Sequence, residues 1–389
     1  MPINTLKIFK NLIFARWIFK KPNKKNILIY DRVSEIFFQC LFPKKSYEIL
    51  DCRYESINIY ILCMTFLKSG IINFKDNYKK NFIEFVSPKI VFTSIDNNPA
   101  FYNLKNLYDK PFYISVQNGM RNNIFYKECK KFIQRTKKKL KADHIFLFGK
   151  NDKKKFSKII EGDIHCSGNV INNHYLIKPS QKKINSIMYI SQYKVTGGDK
   201  LANLLEEEKR ICGHLNKFCK KRNFKLIFCA KKGVPLKSYY RNVLLKDISA
   251  NKAIINKNIL SKGDWIYHPG GNVFKTYKKL NEQQMVVFSH STLGFEALAK
   301  GLKCAIFYKH FPSKDCNVKY PRSGVFWTNS KNYYDAEKIL TRVIGLSNKR
   351  WKKIVNKYSS EILTYDPANV KIKKILKNIL KKNLDKYQK

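Results

Sequence analysis

The residues best suited to chemistry lie in a short polar turn, Ser289–Thr292, between two apolar stretches of the chain. Met285–Phe288 before the turn predicts a buried strand, and Leu293–Lys300 after it predicts a helix that ends at Gly301. A second apolar run, Cys304–Phe307, follows at once and predicts another strand. Strand, turn, helix and strand in this order form a βαβ unit, so the two strands should lie parallel in one sheet.

This turn offers the chemistry of an anion site. Ser291 or Thr292 can cap the helix, and Gly294 lets a ligand approach the backbone closely. The free N–H groups and the positive dipole end at a helix N-terminus suit an anionic oxygen, such as that of a nucleotide phosphate. Glu296 lies one turn into the helix, where it either stabilises the helix or accepts hydrogen bonds from ribose or sugar hydroxyls.

The string SHSTLGFEALAKG, at Ser289–Gly301, resembles the donor-site motif of bacterial surface-polysaccharide biosynthesis proteins, which are glycosyltransferase-B-like enzymes that make O-antigen or capsule. The resemblance implies an α/β protein with two Rossmann-like, doubly wound domains facing a cleft (the GT-B architecture). It also implies that Ser291, Thr292, Gly294 and Glu296 belong to a nucleotide-sugar site.

A single histidine, His268, precedes a proline about twenty residues before this turn. A lone histidine is more often structural than catalytic. The His-Pro pair also resembles the donor site of bacterial sialyl- and Kdo-transferases, which use CMP-sugars. That resemblance implies that His268 contacts the donor phosphate.

Through the first half of the chain, apolar strands alternate with helical stretches at intervals of roughly 20–30 residues, which predicts a parallel, doubly wound sheet. We expect a basic amphipathic N-terminal segment at 1–25, a Rossmann-like acceptor domain at 26–178 and a Rossmann-like donor domain at 185–350. The C-terminal helices at 351–389 would follow, and in the resembled fold a terminal helix often crosses back to the first domain.

Two loops of the first domain follow predicted strands, where ligands collect in such sheets. Ile95–Pro99 contains Asp96, the only carboxylate there that could deprotonate a sugar hydroxyl. The second loop begins with Gln117, Asn118 and Gly119, and the surface-polysaccharide group carries a similar QNG-type loop. Both loops are also explained by ordinary turn chemistry, and the alternative is an acceptor site.

Three further stretches bear on the fold and on membrane contact. Ile57–Leu67 is apolar enough for a buried helix. Leu6–Phe19 predicts a basic helix with large aromatic residues, which either lies on anionic lipid or packs on the first domain. Lys130–Lys141 predicts a basic helix that is either a solvated face or a surface against phospholipid or a lipid-diphosphate acceptor.

Composition limits the classes of partner. The chain of 389 residues carries 77 Lys and Arg against 28 Asp and Glu, a formal charge of +49. The lysines are spread along the whole chain without a nucleic-acid-binding motif, so nucleic acid is not an expected partner. The ten cysteines form no C-x-x-C pair, which indicates a reducing cytoplasm. No uninterrupted apolar run reaches about eighteen residues, so no membrane span is expected.

The sequence thus predicts a cytoplasmic glycosyltransferase, peripheral to the inner face of the plasma membrane. It would use a nucleotide-sugar as donor and a polysaccharide or lipid-linked molecule as acceptor, without cofactor or metal. Two alternatives stay open at this point. One is a nucleotide-sugar 2-epimerase on the same fold, which would need several carboxylates and histidines in one cleft. The other is a non-catalytic basic protein that binds nucleic acid or membrane, with a steep salt dependence.

Overall fold

Two parallel sheets, each in its own structural unit, organise the protein. The computed structural model describes residues 15–52, 56–70, 72–121, 123–176, 184–192, 202–230, 265–268, 273–307 and 323–381. The first unit combines Met1–His174 with Asp366–Lys389, and the second unit is Tyr175–Tyr365. Of the helices in these described ranges, none has the length and apolar character needed to cross a bilayer.

The first unit contains a six-stranded parallel sheet with the order β3-β2-β5-β6-β7-β8, and a separate parallel pair, β1 and β4. Its central strands are buried along their whole length, as expected for a parallel sheet with both faces covered. Strand order reverses between β2 and β5. The strands are β1 Arg16–Ile18, β2 Ile27–Tyr30, β3 Glu48–Leu50, β4 Ser56–Asn58, β5 Ile90–Thr93, β6 Phe112–Val116, β7 Leu140–Leu147 and β8 Ile160–Cys166.

The second unit contains a six-stranded parallel sheet with the order β11-β10-β9-β12-β13-β14. Numbered from its own first strand, this is the order 3-2-1-4-5-6 of the dinucleotide-binding Rossmann fold, with the reversal between β9 and β12. Ligands bind outside the carboxyl ends of the strands at such a reversal. The strands are β9 Ile184–Ile190, β10 Lys225–Cys229, β11 Trp265–His268, β12 Gln283–Phe288, β13 Cys304–Phe307 and β14 Trp327–Thr328.

Helices connect most of the strands. In the first unit they are α1 Glu35–Leu41, α2 Ile59–Ser69, α3 Phe74–Val86, α4 Pro99–Leu107, α5 Asn123–Thr136, α6 Lys150–Phe156 and α7 Val170–His174. Those of the second unit are α8 Ala202–Arg222, α9 Val273–Asn281, α10 Thr292–Ala299, α11 Tyr333–Gly345 and α12 Asn348–Ile362. The last described helix, α13 Val370–Lys381, returns to the first unit.

The end of the chain is fixed to the first unit by buried asparagines. The Asn173 amide donates to Asn369 Oδ1 at 3.1 Å, and its oxygen accepts from the backbone N–H of Asp366 at 3.1 Å. Asn369 in turn donates to the Val170 carbonyl at 2.9 Å. α13 buries one apolar face, formed by Ile372, Leu376 and Ile379.

The predicted C-terminal segment 351–389 does not begin a new element. Trp351 lies inside α12, in the second unit, where it is buried. Its indole N–H donates to the Gly301 carbonyl at 3.0 Å. The boundary at 351 is therefore wrong, because the packing of Trp351 joins α12 to the second unit.

Two predicted basic helices also differ from the structure. Residues 6–14 of the predicted Leu6–Phe19 helix lie outside the described residues, and Arg16–Ile18, near its end, forms β1, which pairs in parallel with β4. In the predicted helix Lys130–Lys141, α5 ends at Thr136 because Lys137 has φ of 56°. β7 then begins at Leu140, which is buried in the core.

The predicted buried helix Ile57–Leu67 is a helix, α2, but its burial was predicted wrongly. Among its residues, Ile61 and Thr65 are buried. Phe66 and Leu67 are 60% and 85% exposed. Apolar composition predicted the helix correctly, but which neighbours cover it depends on tertiary packing that composition does not encode.

Candidate functional site

The polar turn after β12 lies where the sheet of the second unit reverses its strand order. β12 pairs in parallel with β9, and its last paired residue, Phe288, lies opposite Ile190. Ser289 and Ser191 are therefore the first residues beyond these two neighbouring strands, and both are buried. The structure thus places the predicted turn at the ligand-binding position of a Rossmann-like sheet.

Helix α10 begins in this turn without a side-chain cap. Ser291 is the N-cap residue, with φ of −146° and ψ of 129°, and its side chain makes no capping hydrogen bond. Thr292 is the first helical residue and is half-exposed. The first N–H groups of a helix have no partner within the helix, and the positive dipole end there favours an anion.

The hydroxyl of Ser289 adds a second unsatisfied donor to the same turn. Ser289 is 1% exposed, and its Oγ has no hydrogen-bond partner among the described residues. A buried hydroxyl without a partner costs free energy, so this Oγ is a candidate donor to a ligand in the turn. Sequence analysis included Ser289 in the turn but assigned it no role.

Gly294 has a different role from the one predicted. A Cβ at this position would lie 2.2 Å from the ring of Phe288, so the glycine lets α10 pack against β12. The ring of Phe288 also meets that of Phe295 edge-on, with the ring centroids 5.2 Å apart. Close approach of a ligand is therefore not what Gly294 provides, since Phe288 occupies the space beside it.

We expect Gly294→Ala to lower the free energy of unfolding by about 1–3 kcal/mol, the usual cost of overpacking a core. Chemical denaturation followed by tryptophan fluorescence measures this change. Gly213→Ala is the matched control, because Gly213 lies in α8 with no atom near its Cβ position. The control should gain up to about 1 kcal/mol from helix propensity. Equal stabilisation by both substitutions would contradict the packing role of Gly294.

Glu296 lies beneath the turn rather than on its surface. Its carboxylate is 2% exposed and accepts a short hydrogen bond from the hydroxyl of Tyr277 on α9. Burial raises the pKa of Glu296 to about 7, against the lowering effects of Tyr277 and Lys300. The structure therefore makes Glu296 a link between α9 and α10, and not an open acceptor for a sugar hydroxyl.

Aromatic stacking supports this link from the other side. The ring of Tyr277 stacks on that of Tyr175, with centroids 5.4 Å apart and planes 9° apart. Lys300, at the end of α10, donates to the Tyr175 carbonyl at 2.7 Å and lies over the Tyr277 ring at 5.3 Å. α10 is thus held at its middle through Glu296 and at its C-terminal end through Lys300, which fixes the position of the helix behind the turn.

His268 ends β11, which is separated from β12 by the two strands β10 and β9, and it contacts the same helix, α9. Its Nε2 lies 3.1 Å from Oγ1 of Thr276, the neighbour of Tyr277 on α9. Burial, followed by the charge of Lys279, lowers the pKa of His268, so the imidazole is neutral at pH 7. A neutral histidine contributes a hydrogen bond to a phosphate rather than a positive charge.

A second buried carboxylate, Glu208, lies on α8 and binds the start of the loop after β9. It is fully buried, and its Oε1 accepts from the backbone N–H of Gln192 at 2.8 Å. Burial raises its pKa to about 7. Sequence analysis missed Glu208 because it ends a run of three glutamates. Its helical spacing to the buried Cys212 and Leu215 was the available signal.

In the first unit, Asp96 is fully buried and bound to Arg121. The Arg121 Nε donates to Asp96 Oδ2 at 2.7 Å, and a second guanidinium nitrogen donates to Oδ1. The backbone N–H of Asn118 also donates to Oδ1, at 3.2 Å. A carboxylate held in this way is not available to an external hydroxyl, so its predicted role as catalytic base is not supported. Instead, Asp96 joins the two predicted acceptor loops.

The second of these loops is fixed through Gln117. Its amide donates to Asp152 at 2.7 Å and to the Gly119 carbonyl at 2.9 Å, and its oxygen accepts from the Phe148 N–H at 2.7 Å. Gln117 is therefore structural, whereas Asn118 and Gly119 are partly exposed. The acceptor role of the loop stays a prediction that now depends on these two residues.

Two doubly wound α/β units, the second with the strand order of a dinucleotide-binding sheet, define a protein of the glycosyltransferase-B fold. The profile of an O-antigen biosynthesis protein family matches residues 114–380, well over half of the chain. The chain therefore belongs to this O-antigen biosynthesis protein family. Among curated proteins, none matches the chain.

Solved structures of the same fold are distant in sequence. A protein assigned as a UDP-N-acetylglucosamine 2-epimerase in Listeria monocytogenes is similar with a TM-score of 0.52 and 12% identity, over 92% of this chain and 97% of that one. The wall teichoic acid polymerase TagF is similar with a TM-score of 0.52 and 10% identity, over 94% of this chain and 91% of that one. A structure of TagF soaked with CDPG is similar with a TM-score of 0.52 and 11% identity, over 94% of this chain and 91% of that one. At this identity the similarity establishes the fold.

Proposed function

We propose that the protein is a glycosyltransferase that binds a nucleotide-sugar at the β12–α10 turn and transfers its sugar to a surface-glycan acceptor. The observation that carries the proposal is the uncapped helix start beside an unsatisfied, buried Ser289 hydroxyl, at the strand-order reversal of a Rossmann-like sheet. The family, which takes part in O-antigen biosynthesis, agrees with a product of this class.

In this proposal the donor diphosphate lies against the N-terminus of α10. The N–H groups of Thr292 and the next residues, together with the Ser289 hydroxyl, would donate to the phosphate oxygens. These fixed donors would stabilise the negative charge that develops on the leaving nucleoside diphosphate, which is electrostatic catalysis of the usual kind. His268 would supply a further neutral donor, and Glu296 would act indirectly by holding α10 in place.

The acceptor would bind at the first unit, against the partly exposed Asn118 and Gly119. We propose a polysaccharide or lipid-linked acceptor at the inner face of the plasma membrane. The resemblance to enzymes that make O-antigen or capsule implies an acceptor of this class. The base that deprotonates the acceptor is not Asp96, because that carboxylate is buried against Arg121.

The proposed donor site predicts that one of the nucleotides CMP, UDP, GDP or dTDP raises the melting temperature of the protein, since ligands stabilise the state they bind. A thermal-shift screen with CMP, UDP, GDP, dTDP and a polynucleotide, at two salt concentrations, measures this. We expect Ser289→Ala to weaken the binding of that nucleotide about tenfold, through loss of one hydrogen bond to a charged group.

Ser167→Ala is the matched control for this substitution. Ser167 in the first unit is also buried with an Oγ that has no partner among the described residues. Its replacement should leave nucleotide affinity unchanged. A shift with polynucleotide alone that disappears at high salt would overturn the proposal in favour of a basic binding protein. Conversion of a nucleotide-sugar to its 2-epimer without acceptor would instead establish the epimerase.

A further inference from the structure

Helix α2 of the first unit presents an apolar face to solvent. The helix has the sequence IYILCMTFLKS, with one charged residue in 11. Phe66 and Leu67 are 60% and 85% exposed, and Ile72 in the following turn is 77% exposed. We call these three residues the α2 face. Contiguous exposed apolar residues on a soluble protein usually mark a binding surface, because leaving them in water costs free energy.

Further exposed aromatic residues lie near the start of the same helix. β1 pairs with β4, and β4 continues directly into α2 through its N-cap Asn58. On β1 and just after it, Trp17 and Phe19 are 41% and 77% exposed. Tryptophan and phenylalanine are typical of protein surfaces that enter the boundary between lipid headgroups and acyl chains.

Lysines lie at both ends of the helix. At its start, the Lys20 carbonyl accepts from the Asn58 side chain at 2.8 Å, and the Lys21 ammonium lies 4.7 Å from the centroid of the Tyr60 ring. Near its end are Lys68 and, beyond Ile72, the exposed Lys75. Lysines around an apolar patch attract anionic lipid headgroups, and each adds about 1 kcal/mol near such a surface.

We propose that the α2 face docks the protein on an anionic lipid bilayer, with Phe66, Leu67 and Ile72 entering the headgroup boundary. The lysines at both ends of α2 would then contact lipid phosphates. A second copy of the chain is a poorer occupant, because a face-to-face dimer would bring the same lysines together and repel. The inference does not depend on the donor site in the second unit, so either can fail alone.

The test is sedimentation of the full chain with vesicles of phosphatidylglycerol and phosphatidylethanolamine, compared with vesicles of phosphatidylcholine. We expect binding to the anionic vesicles, weakened but not abolished by high salt. The double substitution Phe66→Glu with Leu67→Glu should reduce the partition coefficient tenfold or more, the equivalent of burying one large apolar side chain. Both residues are exposed, so the variant should keep the wild-type melting temperature.

Ile124→Glu is the matched control. Ile124 is 62% exposed on α5 of the same unit, three residues before Lys127. It adds one negative charge, against two in the double variant, at another exposed apolar site and should leave vesicle binding unchanged. Equal binding to both kinds of vesicle, or equal loss in the control, would overturn the proposal. So would concentration-dependent dimerisation by light scattering that the double variant abolishes, because the face would then bind a second copy.

Discussion

Replacing Asp96 by asparagine is expected to lower the free energy of unfolding by about 3–5 kcal/mol, because it leaves the Arg121 guanidinium buried without a countercharge. Arg121 is buried, and both oxygens of Asp96 bind it. Hydrogen–deuterium exchange of peptides that cover β5 and β6 localises the loss to the first unit, and urea unfolding followed by circular dichroism gives its size.

Asp152→Asn is the control for this prediction. Asp152 is also buried, but its carboxylate accepts hydrogen bonds from neutral groups, the Gln117 amide at 2.7 Å and the Tyr126 hydroxyl at 3.2 Å. An asparagine there keeps one acceptor oxygen, so the expected loss is about 1–3 kcal/mol. The double variant Asp96→Asn with Arg121→Met should cost less than the sum of the single variants, since it removes both charges. A loss below about 1 kcal/mol for Asp96→Asn would show that the pair does not hold the loops.

The second unit is expected to lose stability as pH rises from 5 to 8, because two buried glutamates titrate in that range. Burial raises the pKa of both Glu208 and Glu296 from 4.5 to about 7. The native state therefore binds more protons than the unfolded state between these values, and the free energy of unfolding falls with rising pH. The contribution of each protonated glutamate to the free energy of unfolding is fully present below pH 4.5. It falls by about 3 kcal/mol for each group as the pH rises from 4.5 through 7.

Glu208→Gln and Glu296→Gln should each remove their share of this pH dependence. Trp265, Trp327 and Trp351 all lie in the second unit, so tryptophan fluorescence during urea unfolding at pH 5, 6, 7 and 8 reports on it. Glu206→Gln is the control, because Glu206 lies on the same helix as Glu208 but is exposed and pairs with Lys209 at 2.8 Å. Profiles of the two glutamine variants that run parallel to the wild type would contradict the raised pKa values.

The βαβ unit formed by β12, α10 and β13 was predictable from sequence almost residue by residue. β12, α10 and β13 begin and end within two residues of the predicted positions. Local signals fix these bounds: wholly apolar strands, a polar turn and Gly301, whose φ of 89° suits a helix end. The doubly wound sheets followed from the same alternation, since strands buried on both faces are uniformly apolar.

The roles of the site residues were less predictable, because they depend on contacts across the fold. The sequence predicts Asp96 as a catalytic base, because nothing near it in the sequence indicates that Arg121, in the next loop, binds its carboxylate. The hydroxyl of Tyr277 on α9 donates a hydrogen bond to the carboxylate of Glu296 on α10, and the ring of Phe288 occupies the space beside Gly294. β8 was missed altogether, because its residues Ile160–Cys166 are largely polar and partly exposed at the edge of the sheet.

The return of the chain to its first unit has a consequence for synthesis. α13 and the Asn369 side chain belong to the same unit as Asn173, although the whole second unit separates them along the chain. A ribosome therefore produces every residue of the second unit before it supplies the last helix of the first. The second unit can finish folding while the chain is still attached, whereas the first unit is completed only after α13 has left the exit tunnel.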